Sequence, residues 1–180
     1  MPRLFVAVWP PDEVLDRVAT VDRPALAGLR WTTRDQWHVT LRFLGEAHVD
    51  PVLAALAGVS ARTVEVGLGP TVGGFDQRVL HVPVSGLDPL AADVVRATAH
   101  LGRPPGARPF AGHLTLARVA TRARVDLRPL IGTPLSARWT VAGICLVESR
   151  LVGSRLVGSR LSSSGARYQI VDRVLLQPNR

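Results

Sequence analysis

A four-residue phrase that occurs twice constrains the fold of this chain more than any other feature. His38-Val39-Thr40-Leu41 and His113-Leu114-Thr115-Leu116 both read His-apolar-Thr-Leu. Side chains alternate between the two faces of a strand, so each phrase places its histidine and threonine on one face and two apolar residues behind them. The sequence therefore predicts two strands, each with a polar face on an apolar back.

The elements around the two phrases follow a similar order in both halves of the chain. Apolar or alternating runs predict strands at about 4–9, 29–32, 38–43, 63–68, 79–84, 113–118, 139–148 and 168–176. Turn residues and helical spacing predict helices at about 13–21, 50–60 and 88–100, with a short one at 125–131. This layout predicts a mixed α+β fold with pseudo-twofold symmetry. The two strands that contain the repeated phrase, called the motif strands below, would lie side by side and line one cleft, with helices packed on the other face.

At 180 residues and 47% hydrophobic composition, the chain is expected to form a single two-lobed domain over residues 1–180. No apolar run approaches the roughly 20 residues that span a membrane. The single cysteine, Cys145, excludes an intramolecular disulfide and is interpreted as a buried strand residue in a cytoplasmic protein. We expect a monomer without a membrane partner.

A tandem duplication interrupts the second half. Residues 152–156 read Val-Gly-Ser-Arg-Leu, the same five residues follow at 157–161, and a serine-rich stretch comes next. Glycine and serine in these positions are typical of a flexible loop. We interpret the segment at about 151–165 as a tolerated loop insertion.

The charge is uneven along the chain. Residues 1–90 carry eight Arg and ten acidic residues, a net charge of −2, whereas residues 91–180 carry fourteen Arg and four acidic residues, a net charge of +10. A basic half steers phosphate-bearing partners toward the protein, and arginine binds phosphate oxygens with two parallel hydrogen bonds. A solvated basic surface would give the same composition, so charge alone does not decide between these interpretations.

Two imidazoles near neutral pKa are suited to a reaction that removes one proton and donates another. Displacement at phosphorus is such a reaction, and Thr40 and Thr115 would supply hydroxyls to the phosphate. Arg42 shares the His38 face by strict alternation, whereas Arg118 needs a bulge, bend or strand end to reach the cleft. A zinc site is the alternative, but neither phrase has an Asp, Glu or Cys beside its histidine. The other histidines lack a motif and are interpreted as surface or packing residues: His48, His81 and His100.

These phrases, with Phe43-Leu44-Gly45-Glu46 after the first and Ala117-Arg118 after the second, resemble the two-histidine phosphoesterases. Within that group the chain is similar to the bacterial and archaeal RNA 2′,3′-cyclic phosphodiesterases, formerly called 2′-5′ RNA ligases. The opening strand at 3–8, residues 148–151 and residues 165–168 also match. The resemblance implies a bilobal fold in which two antiparallel-rich sheets line a central cleft, with helices outside and neither metal nor nucleotide cofactor.

The resemblance also implies roles for single residues. His38 would donate a proton to the leaving 3′-oxygen, and His113 would accept a proton from water. Thr40, Thr115 and Arg118 would bind the phosphate of an RNA end or nucleotide that carries a 2′,3′-cyclic phosphate. Phe43 would belong to the core or stack on a base.

Two alternatives stay open at this stage. One is the reverse reaction, which joins RNA ends through a 2′-5′ bond, and the other is a binding module that kept the fold and lost turnover. The sequence departs from the family pattern at Gly112, where the family commonly has proline, and glycine would loosen the backbone before His113.

Overall fold

β-Strands dominate the computed structural model, which describes residues 1–151 and 166–178. Within these residues the strands are β1 (Arg3–Val8), β2 (Leu29–Trp31), β3 (Val39–Glu46), β4 (Val64–Leu68), β5 (Gly73–Phe75), β6 (Val79–Ser85), β7 (His113–Val119), β8 (Ala137–Val141), β9 (Gly143–Leu151) and β10 (Ala166–Leu175). The helices are α1 (Asp12–Ala19), α2 (Val49–Ala57) and α3 (Asp88–Ala97). A 3₁₀ turn, Arg34–Gln36, leads into the first motif strand.

The strands form one curled sheet whose main path runs β10-β9-β1-β3-β7-β6-β4-β8, with β2 beside β7 and β5 beside β6. Every ladder between these strands is antiparallel. The path divides into two halves of four strands that meet where β3 lies beside β7. There the ladder consists of one pair, Val39 with Leu114. The two motif strands therefore occupy the centre, as the sequence predicted.

The helices cover the sheet with their apolar faces. α1 buries Val14, Leu15 and Val18, α2 buries Val52 and Leu56, and α3 buries Leu90, Ala91 and Val94. These side chains belong to one large core with the apolar backs of both motif strands. Such burial of an amphipathic face contributes about 1.5–3 kcal/mol for each large apolar side chain. The mixed fold with helices outside the sheet is confirmed.

A second, small hydrophobic cluster lies on the opposite face of the half of the sheet that contains β10, β9, β1 and β3. Phe5, Ala7, Cys145 and Val147 form it, and Trp9 and Tyr168 pack against it. β1 is consequently buried on both faces, which explains its continuous apolar run. Cys145 is 2% exposed and lies within β9, in keeping with its interpretation as a buried strand residue.

The structure corrects three expectations about local elements. Residues 125–127 are irregular and residues 128–131 form turns, where a short helix was predicted. The long strand predicted at 139–148 is broken at Ala142, so that β8 pairs with β4 in one half and β9 pairs with β1 in the other. The short strand β5 was missed, because Gly73-Gly74-Phe75 has little strand propensity of its own.

Within the described ranges, no helix is long and apolar enough to cross a bilayer. The expected loop insertion at about 151–165 lies outside the described residues, apart from Leu151 at the end of β9. The assignment of residues 1–180 to a single domain stays a prediction.

Candidate active site

A pocket of about 220 Å³ lies between the two motif strands. It is lined by both motif histidines and both motif threonines, and also by Phe43 and Arg118. The remaining lining residues are Phe5, Thr32, Gln36, Ser149 and Tyr168. Six of the seven residues that the sequence predicted therefore meet in one place, and Arg42 is the exception.

A bulge in each motif strand decides which residues reach this pocket. In the ladder of β1 with β3 the register passes from Ala7–Thr40 to Val6–Arg42, so Leu41 is the extra residue. In the ladder of β6 with β7 it passes from His81–Thr115 to Leu80–Ala117, so Leu116 is the extra residue. The leucine of each His-x-Thr-Leu phrase is thus the bulged position, and alternation shifts by one residue after it.

The shift brings Phe43 and Arg118 to equivalent places, each five residues after its histidine. The condition that Arg118 needs a bulge to reach the cleft is therefore met. The expectation that Arg42 shares the His38 face is wrong, because the bulge turns its side chain into the protein. Arg42 is 5% exposed, and its Nη2 donates to the carbonyl oxygens of Thr98, Leu101 and Arg103 at 3.2, 3.3 and 3.0 Å.

His38 lies in an aromatic cage. Its ring stacks on Trp9 with a centroid separation of 4.8 Å, lies 5.0 Å from Phe5, and meets Tyr168 edge-on at 5.0 Å. Burial among these rings disfavours the charged imidazolium and lowers the pKa of His38 to about 4, and the charges of Arg118 and His113 act in the same direction. In the free protein His38 is therefore neutral at pH 7.

His113 is oriented by the backbone next to it. Its Nδ1 lies 2.7 Å from the carbonyl oxygen of Ala111, two residues earlier. A carbonyl only accepts hydrogen bonds, so in the neutral imidazole Nδ1 carries the proton and Nε2 keeps a lone pair. The corresponding carbonyl for His38 is that of Gln36, which raises the pKa of His38 against the effect of burial. The buried Nδ1 of His38 does not reach full hydrogen-bond geometry with any described residue.

A ring cluster also supports His113 from behind. Phe75 stacks on His81 with centroids 3.8 Å apart, and both rings meet His113 edge-on at 5.0 and 5.6 Å. His81 is 6% exposed, and burial lowers its pKa to about 4. His81 thus packs behind the pocket as a neutral ring, in agreement with its interpretation as a packing residue.

Thr32 ties the motif strands together. Its hydroxyl lies 2.8 Å from the carbonyl oxygens of both Thr115 and Leu116, which share its single proton in a bifurcated hydrogen bond. The same oxygen accepts a hydrogen bond from Nε1 of Trp37 at 3.0 Å. Trp37 directly precedes His38, so this chain of bonds links the first motif to the backbone of the second.

Gly112 is held closely rather than loosely. Its carbonyl oxygen accepts a hydrogen bond from the amide of Val84 at 2.8 Å, and a Cβ on this residue would lie 2.4 Å from the carbonyl oxygen of Val84. The expected looseness before His113 is therefore not what the packing indicates. Glycine permits β6 to approach the backbone here more closely than any side chain would allow.

The substitution Gly112→Ala is expected to lower the free energy of unfolding by about 1–3 kcal/mol, because the added methyl group must displace backbone. The same displacement moves His113, so any reaction that depends on this imidazole should slow as well. Chemical denaturation and initial rates measure the two effects. Gly58→Ala is the matched control, since its Cβ would meet its nearest neighbour at 3.4 Å; equal stability and activity of the two variants would contradict this interpretation.

Sequence reasoning missed five lining residues. Phe5 lies in a strand interpreted as entirely core, and Thr32 and Gln36 stand in a short edge and a turn without a motif. Phe5, Ser149 and Tyr168 fall in segments that carry the family resemblance, which was the available signal for them. All five reach the pocket through strand pairing or turn geometry that the sequence does not specify.

The pocket is suited to an anion. Among the described residues, its lining holds one guanidinium, several hydroxyls and two imidazoles, and no carboxylate. In the part of the chain that the structure describes, no three His, Cys, Asp or Glu side chains come together as metal ligands would. The arrangement provides donors for phosphate oxygens and two groups that exchange protons.

Known proteins share this sequence pattern and this fold. A family profile described as LigT like Phosphoesterase matches residues 8–69. The chain is 29% identical over 128 residues to an RNA 2′,3′-cyclic phosphodiesterase of Geobacillus stearothermophilus, a match that covers 63% of this chain. It spans 41% of the length of that relative.

Several solved structures match nearly the whole chain, among them the following two. E. coli LigT in complex with 3′-AMP is 25% identical with a TM-score of 0.70, and the match covers 97% of this chain and 98% of that one. A protein of Thermus thermophilus is 28% identical with a TM-score of 0.69, and the match covers 99% of this chain and 100% of that one.

Proposed function

Because the chain belongs to the two-histidine phosphoesterase superfamily, we propose that it hydrolyses the 2′,3′-cyclic phosphate at an RNA end to a 2′-phosphomonoester. The observation that carries the proposal is the pocket that both motif histidines share with two threonines and Arg118. The resemblance to a curated RNA 2′,3′-cyclic phosphodiesterase supports the choice of substrate. The cytoplasmic location and monomeric state stay predictions from the sequence.

In the proposed reaction His113 acts as the base. Its Nε2 lone pair, set by the bond from Nδ1 to Ala111, accepts a proton from water. The water oxygen forms a bond to phosphorus, and the bond from phosphorus to the 3′-oxygen breaks. The hydroxyls of Thr40 and Thr115 and the guanidinium of Arg118 stabilise the negative charge on the non-bridging oxygens.

His38 acts as the acid and protonates the leaving 3′-oxygen. In the free protein the low pKa of His38 leaves its imidazole neutral at pH 7, so the proton must be taken up when substrate binds. The anionic phosphodiester supplies the reason, because a nearby negative charge favours the imidazolium and raises the pKa of His38. Binding of the substrate thus converts His38 to the imidazolium that acts as the acid.

This account predicts different alkaline limbs in two pH profiles. The profile of kcat/KM reports the free protein, in which His38 loses its proton above about pH 4. The profile of kcat reports the complex, in which the phosphate holds that proton to higher pH. Steady-state kinetics with 2′,3′-cyclic AMP from acidic to mildly alkaline pH should show the kcat limb at the higher pH. Coincident limbs would contradict proton uptake on binding.

A direct test uses 2′,3′-cyclic AMP or a short RNA with that end, in the presence of a chelator. Phosphorus NMR is expected to identify a 2′-phosphomonoester as product. A 3′-phosphomonoester would keep the two-histidine chemistry but exchange the leaving oxygen. Lack of turnover, or turnover that needs an added metal ion, would overturn the proposal.

A further inference from the structure

A second pocket, of about 490 Å³, adjoins the first, and Phe43 lines both. It lies between β3, α3 and the loop that follows α3, with Phe43, Phe110, Pro104 and Pro105 among its walls. Phe43 is 41% exposed, an unusual position for a large aromatic ring in the middle of a strand. The first pocket, at about 220 Å³, has less than half the volume of the second.

The second pocket carries positive charge. Arg103 and Arg108 line it from the loop, both are exposed, and neither makes a salt bridge with a described residue. The guanidinium of Arg3 lies 5.7 Å from the centre of the Phe43 ring. One carboxylate, that of Asp88, also lines this pocket. The balance of two free guanidinium groups against one carboxylate favours an anionic ligand.

The loop that forms this wall is fixed to the fold at its start. The buried guanidinium of Arg42 donates to the carbonyls of Leu101 and Arg103, and the amide of Arg103 donates to the carbonyl of Leu44 at 2.7 Å. Gly102 has a φ of +61°, and a Cβ there would lie 2.3 Å from the carbonyl oxygen of Leu44. The wall beside Phe43 is therefore preorganised rather than formed on binding.

We propose that the second pocket binds the nucleotide that precedes the cyclic phosphate in an RNA chain. The base of that nucleotide packs against Phe43 and the proline-rich wall, and the phosphodiester that links it to the terminal nucleotide lies against Arg103 and Arg108. This assignment rests on the proposed function and extends it, because it makes an oligonucleotide end, rather than a mononucleotide, the preferred substrate. Stacking of a base on an aromatic ring contributes about 1–3 kcal/mol, which is roughly five- to 150-fold in binding.

The test compares 2′,3′-cyclic AMP with the dinucleotide ApA that ends in a 2′,3′-cyclic phosphate. We expect kcat/KM to be about tenfold or more higher for the dinucleotide, within the range given by one stacked base. The double variant Arg103→Ala/Arg108→Ala should lower this ratio by removing the contacts to the linking phosphodiester, and raising the salt concentration should reduce it in the parent protein. Arg62→Ala removes an exposed arginine that lines neither pocket and should keep the ratio.

Equal kcat/KM for the two substrates in the parent protein would overturn the inference, and so would an unchanged ratio in the double variant. Equilibrium binding of the two products, 2′-AMP and ApA with a 2′-phosphate, separates this inference from the proposed function. If neither cyclic substrate is hydrolysed but the dinucleotide product still binds more tightly through Arg103 and Arg108, the proposed reaction is wrong and the assignment of the second pocket is supported. If both products bind equally, the assignment of the second pocket is wrong whatever the activity.

Discussion

The variant His113→Ala is expected to hydrolyse a 2′,3′-cyclic nucleotide about 10²–10⁴-fold more slowly than the parent protein, because it removes the proposed base. His38→Ala should cost a similar factor by removing the proposed acid. Initial rates with 2′,3′-cyclic AMP at saturating concentration measure both losses as changes in kcat. Small changes in KM would agree with groups that act mainly in the transition state.

The double variant distinguishes a coupled pair from two independent groups. Residues that act as a unit are not additive, so removing both histidines should cost little more than removing one. His48→Ala and His100→Ala are matched controls, since both histidines are exposed and lie outside the pocket. Full activity in either motif variant, or a comparable loss in either control, would show that the pair does not carry out the reaction.

Trp37→Ala is expected to lower the free energy of unfolding by about 3–5 kcal/mol, the usual cost of truncating a large buried aromatic side chain. Trp37 is 1% exposed, donates to the Thr32 hydroxyl and lies 4.6 Å below the guanidinium of Arg23. Denaturant titration followed by circular dichroism measures the loss.

Two further substitutions separate packing from hydrogen bonding. Trp37→Phe keeps most of the apolar volume and removes the bond to Thr32, so we expect it to cost about 0.5–1.5 kcal/mol for the bond, plus a smaller packing loss. Trp31→Ala is the control, because Trp31 is only partly buried and bonds to the carbonyl of Pro24. If Trp31→Ala were as destabilising as Trp37→Ala, burial next to His38 would not be the cause.

The order of elements and the central place of the motif strands were predictable from the sequence, because periodicity records which face of each strand is apolar. The same rule placed His38 with Thr40 and His113 with Thr115. It failed directly after each threonine, where the leucine of each phrase is bulged and exchanges the faces of the residues that follow. No local signal marks these bulges, because each leucine is buried and looks like an ordinary strand residue.

The side chains that surround the two histidines could not be predicted from the sequence. The rings that lower the pKa of His38 come from β1, from the residue after β1 and from β10, and they meet only through pairing between distant strands. The ring pair behind His113 depends on β5, which has almost no sequence signature of its own. Long-range pairing, rather than residue type, therefore decides the protonation state of His38 and the packing around His113.

The narrow junction between β3 and β7 has a consequence for how activity varies. These strands share one ladder pair in the described structure, Val39 with Leu114, and both side chains are completely buried. The separation of the two imidazoles therefore depends on the volume of the core side chains beneath them more than on backbone hydrogen bonds. Protein interiors respond to a single methylene group, and a displacement of about 1 Å can cost roughly 10²-fold in rate. Exchanges between aliphatic residues at this junction would thus tune the speed of the reaction without altering any group that touches the substrate.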